Sequence, residues 1–453
     1  MLFQTPQFIC FLLLVLVLFY SVSLRIGRFV LLGASYFFYM FWNAKFVLLL
    51  LLLTVVDFST ALLMSGKPAR KRRMLLVAGV SANLGFLAFF KYFNFFAVSL
   101  AKLLQIPEQS VLLQIVLPVG ISFHTFQSIS YLVDVYRGGQ QPIRNFVDYA
   151  LFIAFFPQLV AGPIVRARDF FRDLHLWRPP STDAFHSGCF LILLGMVKKL
   201  VLADRFGTIA DSYFGSVTAH PGALPAWSGA FAFAFQIYFD FSAYTDIAIG
   251  TAALFGFQFP ANFRDPYFAT SITDFWRRWH ISLSTWLRDY LYIPLGGNRR
   301  GAWITYRNIM ITMLLGGLWH GASWTFVIWG GYQGALLSTE RLFTGRFPMP
   351  ALLRGVFTFA FICVGWVFFR AGTPHEAGIV ISQMFSLNTG PWLLGPTHLL
   401  LLACAAIGSR WPMLEYISQG SIWTKVGVIT CGLIAIELFA AGDRTVPFLY
   451  FQF

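Results

Sequence analysis

Apolar runs, many of them about 20 residues long, follow one another along almost the whole chain. A lipid bilayer is the solvent that tolerates such a pattern. The runs fall at 8–24, 29–43, 46–64, 74–99, 111–132, 187–203, 227–255, 303–319, 323–343, 351–369, 396–409 and 422–441. Several are shorter than a full span, so about ten to twelve crossings are expected. Composition closes the alternative of a water-facing particle. Of 453 residues only 11% are charged, while 57% are hydrophobic; a soluble chain carries about a quarter charged. A soluble enzyme, a disordered tail and a fibrous protein are therefore excluded. The pattern is that of an all-α polytopic integral membrane protein. With no internal repeat, low-complexity tract or linker, 1–453 is expected to form a single membrane-embedded domain.

Charge sets the expected direction of the spans. Lys and Arg number 33 against 19 Asp and Glu, a net charge of +14, and such an excess sits in cytoplasmic loops and against anionic lipid. Lys67, Arg70, Lys71, Arg72 and Arg73 mark one cytoplasmic loop, and Arg25 with Arg28 another. Counting spans from either mark places the N-terminus outside, and Arg137 and Arg144 inside. The first apolar run has an uncharged start and no small-x-small cleavage site, so it is expected to be a retained helix. No basic stripe is set among stackable aromatics, so nucleic acid is not an expected partner. The cysteines, Cys10, Cys189, Cys363, Cys404 and Cys431, show no metal-ligand or disulfide spacing.

Two stretches do not fit simple spanning. Residues 149–163 are apolar but short and broken by Pro157, Gly162 and Pro163; a re-entrant segment is expected, tolerated where protein satisfies its backbone. Residues 256–301 are half apolar and rich in arginine, as expected of helices lying on or dipping into the cytoplasmic side.

The second stretch contains FWRRWHISLSTWLRDYLYIPLGGNRRG, 275–301. Trp276, Trp279, His280, Leu283, Leu287 and Tyr290 form one apolar stripe, which predicts a continuous helix to about Tyr290. Asp274, Arg277, Arg278 and Arg288 fall on another face, with Asp274 and Arg278 at ion-pairing spacing. His280 then points toward the protein at the cytoplasmic rim, as a packing or a working residue. The arginines either meet lipid headgroups or bind an anion. In LLGGLWHGASWTFVIWGGYQG, 314–334, His320 lies deep in an apolar stretch beside Trp319 and several glycines. An ionisable group at that depth is costly and usually faces a cavity or a polar partner, and imidazole suits general-base work. The alternative is a structural hydrogen bond. Asp240 and Asp246, in YFDFSAYTDIAIG, either orient a histidine, bind a proton or pair with a buried arginine such as Arg264. His175, His186, His220, His375 and His398 show no metal-ligand spacing, so no metal is expected.

These strings, with VLPVGISFHTFQSISYLVDVYRG, FFPQLVAGPIVR, GWVFFRA and the terminal PFLYFQF, resemble the membrane-bound O-acyltransferases. The nearest branch is the bacterial one typified by the membrane subunit of alginate O-acetylation, with relatives acting on peptidoglycan and cellulose. Two positions depart from the usual pattern: His124 stands where an aromatic is more frequent, and Gln333 where histidine is. The resemblance implies a ring of helices, some crossing only half the membrane, around a central tunnel. It implies His320 as the catalytic membrane histidine and His280 as a second, supporting one. Arg277, Arg278 and Arg288 would hold the donor's phosphates, with Asp240, Asp246, Trp319 and Asn298 in support.

The implied reaction moves an acetyl group from cytoplasmic acetyl-CoA across a bacterial inner membrane. The acceptor is a periplasmic acetyltransferase partner or a cell-surface polysaccharide such as alginate, cellulose or peptidoglycan. His320 would act as base on the acceptor hydroxyl or transiently carry the acyl group. Acetyl-CoA enters as substrate; no bound cofactor is expected, and the remaining partner is membrane lipid. The alternatives are a channel or transporter for an acyl donor, and a long-chain lipid or protein O-acyltransferase.

Overall fold

The computed structural model describes residues 1–343, 349–410, 420–440 and 448–449, and every regular element among them is helical. The chain is a polytopic membrane protein. Among the described residues, five helical stretches are long and apolar enough to cross a bilayer: Leu24–Asn43, Phe46–Met64, Ala69–Leu103, Thr182–Gly215 and Ala351–Arg370. Two of these run through a π-turn, at Ala88–Tyr92 and at Lys198–Ala203. The terminal PFLYFQF string lies outside the described residues except for Phe448 and Leu449.

Two compact units are distinguishable. The first comprises Met1–Gly188 with Ala248–Pro260, the second Cys189–Ile247 with Ala261–Phe453. The first holds α1 (Pro6–Tyr20), α2 (Leu24–Asn43), α3 (Phe46–Met64), α4 (Ala69–Leu87), α5 (Phe93–Leu103), α6 (Ile121–Arg137), α7 (Phe146–Ala154) and α8 (Ala167–His175). α9 (Thr182–Val197) and α11 (Ala223–Leu254) carry the chain between the units, and α10 (Asp204–Gly215) belongs to the second.

In the first unit α6 is the central helix, buried from Ile121 through Leu132 and packed against α3, α4, α7 and α8. The expected helix over 111–132 starts only at Ile121. Pro118 interrupts it, and Gly120 turns left-handed at φ 76°, where a Cβ would sit 2.3 Å from the Leu159 carbonyl oxygen. The broken stretch 149–163 is the short helix α7 followed by irregular chain, all buried. Its main chain finds partners in the protein: the Phe156 N–H donates to Ser35 Oγ at 3.1 Å, and the Gln158 side chain donates to the Phe152 carbonyl. That burial is what irregular backbone needs at membrane depth.

The second unit adds α12 (Ile272–Arg278), α13 (Ile281–Leu287), α14 (Ala302–His320), α15 (Trp324–Phe343), α16 (Ala351–Arg370), α17 (Pro374–Met384), α18 (Pro396–Arg410) and α19 (Ile422–Phe439). In lipid, helices associate by close packing and small residues rather than by expelling water. The α14–α15 hairpin does so backbone to backbone: a Cβ on Gly317 would lie 2.3 Å from the Phe326 carbonyl oxygen, and one on Gly330 2.3 Å from that of Met313. Trp279, Trp329 and Trp366, all almost fully buried, fill the core beside it.

Asp240 and Asp246 do not pair with Arg264, whose side chain is exposed. Asp246 takes Lys198 at 2.6 Å and Asp240 takes Lys199 at 2.7 Å. The π-turn at Lys198–Ala203 widens the helix and brings both consecutive lysines to α11. A buried charge persists where it is paired in this way.

Candidate active site

The expected continuous helix over 275–290 is instead a corner. α12 ends at Arg278, Trp279 is extended, and His280 occupies the left-handed region at φ 43° and ψ 55° before α13 begins. The cause is an extended stretch that pairs with the main chain at the break. The Arg264 N–H donates to the Arg278 carbonyl at 3.0 Å, and the Ile281 N–H to the Asn262 carbonyl at 2.9 Å. Glu340 of α15 holds the other end of α12, accepting from the Thr273 N–H at 3.2 Å and also from the Ile272 N–H and the Thr273 hydroxyl.

The Asn262 side chain completes the corner and sets the proton on His280. Its Oδ1 accepts from the Ser282 N–H at 3.1 Å and the Ser282 hydroxyl at 2.8 Å, and lies 3.3 Å from His280 Nδ1. A main-chain amide can only donate, so the amide oxygen of Asn262 is the atom facing this corner. His280 Nδ1 therefore carries the hydrogen and Nε2 the lone pair. His280 was expected at a water-reached rim, but it is fully buried, because the corner folds it inward against Phe241 at a ring distance of 4.6 Å. Burial pushes its pKa down to about 3, so the imidazole is neutral at working pH.

His320 is the last residue of α14 and is 6% exposed. Its ring lies 6.4 Å from that of His280, with an interplanar angle of 60°. Trp319, at ring distances of 6.1 Å from His280 and 5.0 Å from His320, touches both. Trp329 at 5.3 Å and Phe369 at 5.1 Å complete the shell on the His320 side. The glycine contact of the α14–α15 hairpin fixes this arrangement, reinforced at Gly321, where a Cβ would fall 2.1 Å from the Phe326 ring. Two imidazoles in a low-dielectric aromatic shell can move a proton and orient a reacting carbonyl with little competition from water.

The other expected site residues separate into two groups. Trp319 belongs to the histidine shell. The arginines stay outside it: Arg277 is exposed, Arg278 pairs with Asp274 at 2.9 Å as the spacing predicted, and Arg288 pairs with Asp289 at 2.8 Å. Asn298 is exposed in a glycine loop that Asn308 holds through the carbonyls of Leu295 and Gly297. Asp240 and Asp246 serve the lysine pairs described above. Gln333 is buried and accepts from the Trp276 indole N–H at 3.3 Å. Among the described residues, no three His, Cys, Asp or Glu side chains gather as a metal site would require.

Sequence reasoning missed Asn262, Trp329 and the Lys198–Lys199 pair. The lysines had a visible signal, two adjacent cations inside an apolar run. Asn262 had none, since only the folded corner brings it to His280.

Comparison with known proteins decides the family. The model of the membrane-bound O-acyltransferase family matches residues 141–372, which include both histidines. The chain belongs to the membrane-bound O-acyltransferases. A probable alginate O-acetylase of Pseudomonas putida is 40% identical over all of both chains. One from Azotobacter vinelandii is 45% identical over 92% of this chain and 84% of its own. A peptidoglycan O-acetyltransferase of Helicobacter pylori is 40% identical over 78% of this chain and 73% of its own. The protein is thus an acyltransferase, and the paired histidines lie inside the segment that defines the family.

Proposed function

We propose that this acyltransferase moves an acetyl group from cytoplasmic acetyl-CoA to a hydroxyl on the far side of a bacterial inner membrane. The acceptor belongs to a cell-surface polysaccharide or to a periplasmic acetyltransferase that hands the group on. The observation that carries this reading is the pairing of His280 and His320 in one buried aromatic shell. The names of the relatives, enzymes of alginate and peptidoglycan O-acetylation, support a polysaccharide destination. The alternation of basic loops supports an N-terminus outside, with 67–73 and 277–301 on the cytoplasmic side.

In this mechanism His320 takes the proton of the acceptor hydroxyl as its oxygen attacks the thioester carbonyl. The carbon–sulfur bond then breaks, and the departing thiolate recovers that proton. His280, held by Asn262 with its lone pair on Nε2, orients the donor. Arg277 and Arg288, exposed, and Arg278 offer planar cations for the phosphates of CoA.

The test is transfer of labelled acetyl from acetyl-CoA by purified protein in liposomes, with acceptor oligosaccharide or partner protein supplied. Label should reach acceptor hydroxyls, and His320→Ala should lower the rate by about 100- to 10,000-fold at matched folded protein. A His320→Ala protein that transfers at near the parent rate ends the catalytic assignment and revives a channel.

A further inference from the structure

Two indole N–H groups near the histidine pair have acceptors among the described residues, and that of Trp329 does not. The Trp366 indole N–H donates to the Tyr267 hydroxyl at 3.2 Å, and that of Trp276 to Gln333 at 3.3 Å. Trp329 lies between these two residues, is 1% exposed, and its Nε1 has no hydrogen-bond partner among the described residues. A buried donor without an acceptor is destabilising, and native structures keep few of them.

The surroundings of Trp329 allow it no relief by rotation. Its ring stacks on Trp366 at 6.0 Å and 15°, and meets Trp276 at 5.8 Å and Phe369 at 5.4 Å. Gly330, the next residue, is pressed against the α14 backbone, so the indole cannot move away with its helix. The same ring stands at 88° to His320, 5.3 Å from it. A single carbonyl group lying alongside both rings would have its carbon beside the base and its oxygen near the indole N–H. That is the arrangement in which a fixed donor stabilises charge as it develops.

We propose that the Trp329 indole N–H is a catalytic group that binds the acyl oxygen in the transition state. The proposal rests on the acyl transfer by His320 argued above. As the acceptor oxygen bonds to the thioester carbon and its proton passes to His320, the carbonyl π pair moves onto oxygen, where Trp329 donates to it. When that pair returns, the carbon–sulfur bond breaks, the thiolate takes the proton from His320, and the Trp329 hydrogen bond is released.

The test replaces Trp329 in two ways within the full-length protein. Trp329→benzothienylalanine keeps the bicyclic shape and substitutes sulfur for the N–H; Trp329→Phe removes the N–H along with part of the ring. The isostere should fold as the parent does, lose about 100- to 1,000-fold in kcat and leave the donor KM within about twofold. A folded isostere with near-parent kcat overturns the proposal, even if Trp329→Phe is inactive, because bulk alone would then matter. His320→Ala is measured alongside. If it is inactive while the isostere is normal, only the role of Trp329 falls; if it is active, the reading of the reaction falls.

Discussion

Lys199 Nζ lies 2.7 Å from Asp240 Oδ1 in the interior of the second unit, and the other oxygen of Asp240 accepts the Leu449 main-chain N–H at 2.7 Å. Lys199 also meets Asp204 at 2.8 Å, so one buried cation is shared by two carboxylates. Removing the cation should therefore hurt far more than removing one anion. Lys199→Met leaves Asp204 and Asp240 without their shared cation and should cost about 3–5 kcal/mol or abolish folding. Asp240→Asn keeps a one-to-one pair and an acceptor for Leu449, and should cost about 1 kcal/mol. Thermal unfolding of both variants in one detergent checks the ranking; equal losses would refute it.

The α14–α15 contact should be as sensitive as any reacting group. Gly317→Ala places a methyl 2.3 Å from the Phe326 carbonyl oxygen, so the hairpin must open, at about 1–3 kcal/mol and with loss of transfer. Gly331→Ala meets only Leu314 Cδ2, at 3.6 Å, and should change stability by no more than about 0.5 kcal/mol. Melting temperature and transfer rate measured on the two variants distinguish a backbone requirement from a general intolerance of bulk.

His280 makes stability depend on pH in a known direction. Its folded pKa, about 3, lies below the unfolded value of about 6.5. Between those limits the unfolded chain binds more protons, so this contribution is complete above about pH 6.5 and shrinks as pH falls. At pH 5.5 the loss should be about 1.4 kcal/mol relative to neutral pH. His280→Asn, which tolerates the left-handed backbone, should remove that part of the acid sensitivity. The comparison is the change in melting temperature between pH 7.5 and 5.5 for parent and variant, and an identical change in both would count against the buried neutral imidazole.

Orientation is open to direct labelling. Once Cys10, Cys189, Cys363, Cys404 and Cys431 are replaced, a cysteine at Lys71 should react with a membrane-impermeant maleimide only after cells are opened. Labelling of intact cells at that position would invert the proposed topology.

The sequence made the membrane setting and both histidines legible, because a polar side chain inside an apolar run is visible without a structure. The Asp274–Arg278 pair was legible for the same local reason, its helical spacing. The corner at His280 was not. The apolar stripe runs through it unbroken, without glycine or proline, and it bends because Asn262 and Arg264 supply main-chain partners from a separate segment. The partners of Asp240 and Asp246 were hidden likewise, since a π-turn, not a motif, aims Lys198 and Lys199 at them. The helix expected over 111–132 failed where hydrophobicity outweighed Pro118 and Gly120, although both carry a clear stop signal.

The left-handed backbone at His280 has an evolutionary consequence. A non-glycine residue held there costs on the order of 1 kcal/mol or more, so glycine or asparagine would relax the corner. Stability and the donor-orienting role proposed for this imidazole thus pull the position in opposite directions. A search for more robust versions of the enzyme would select against the imidazole first, yielding proteins that survive heating and transfer poorly. Position 280 is where thermostability screens on this scaffold need an activity filter.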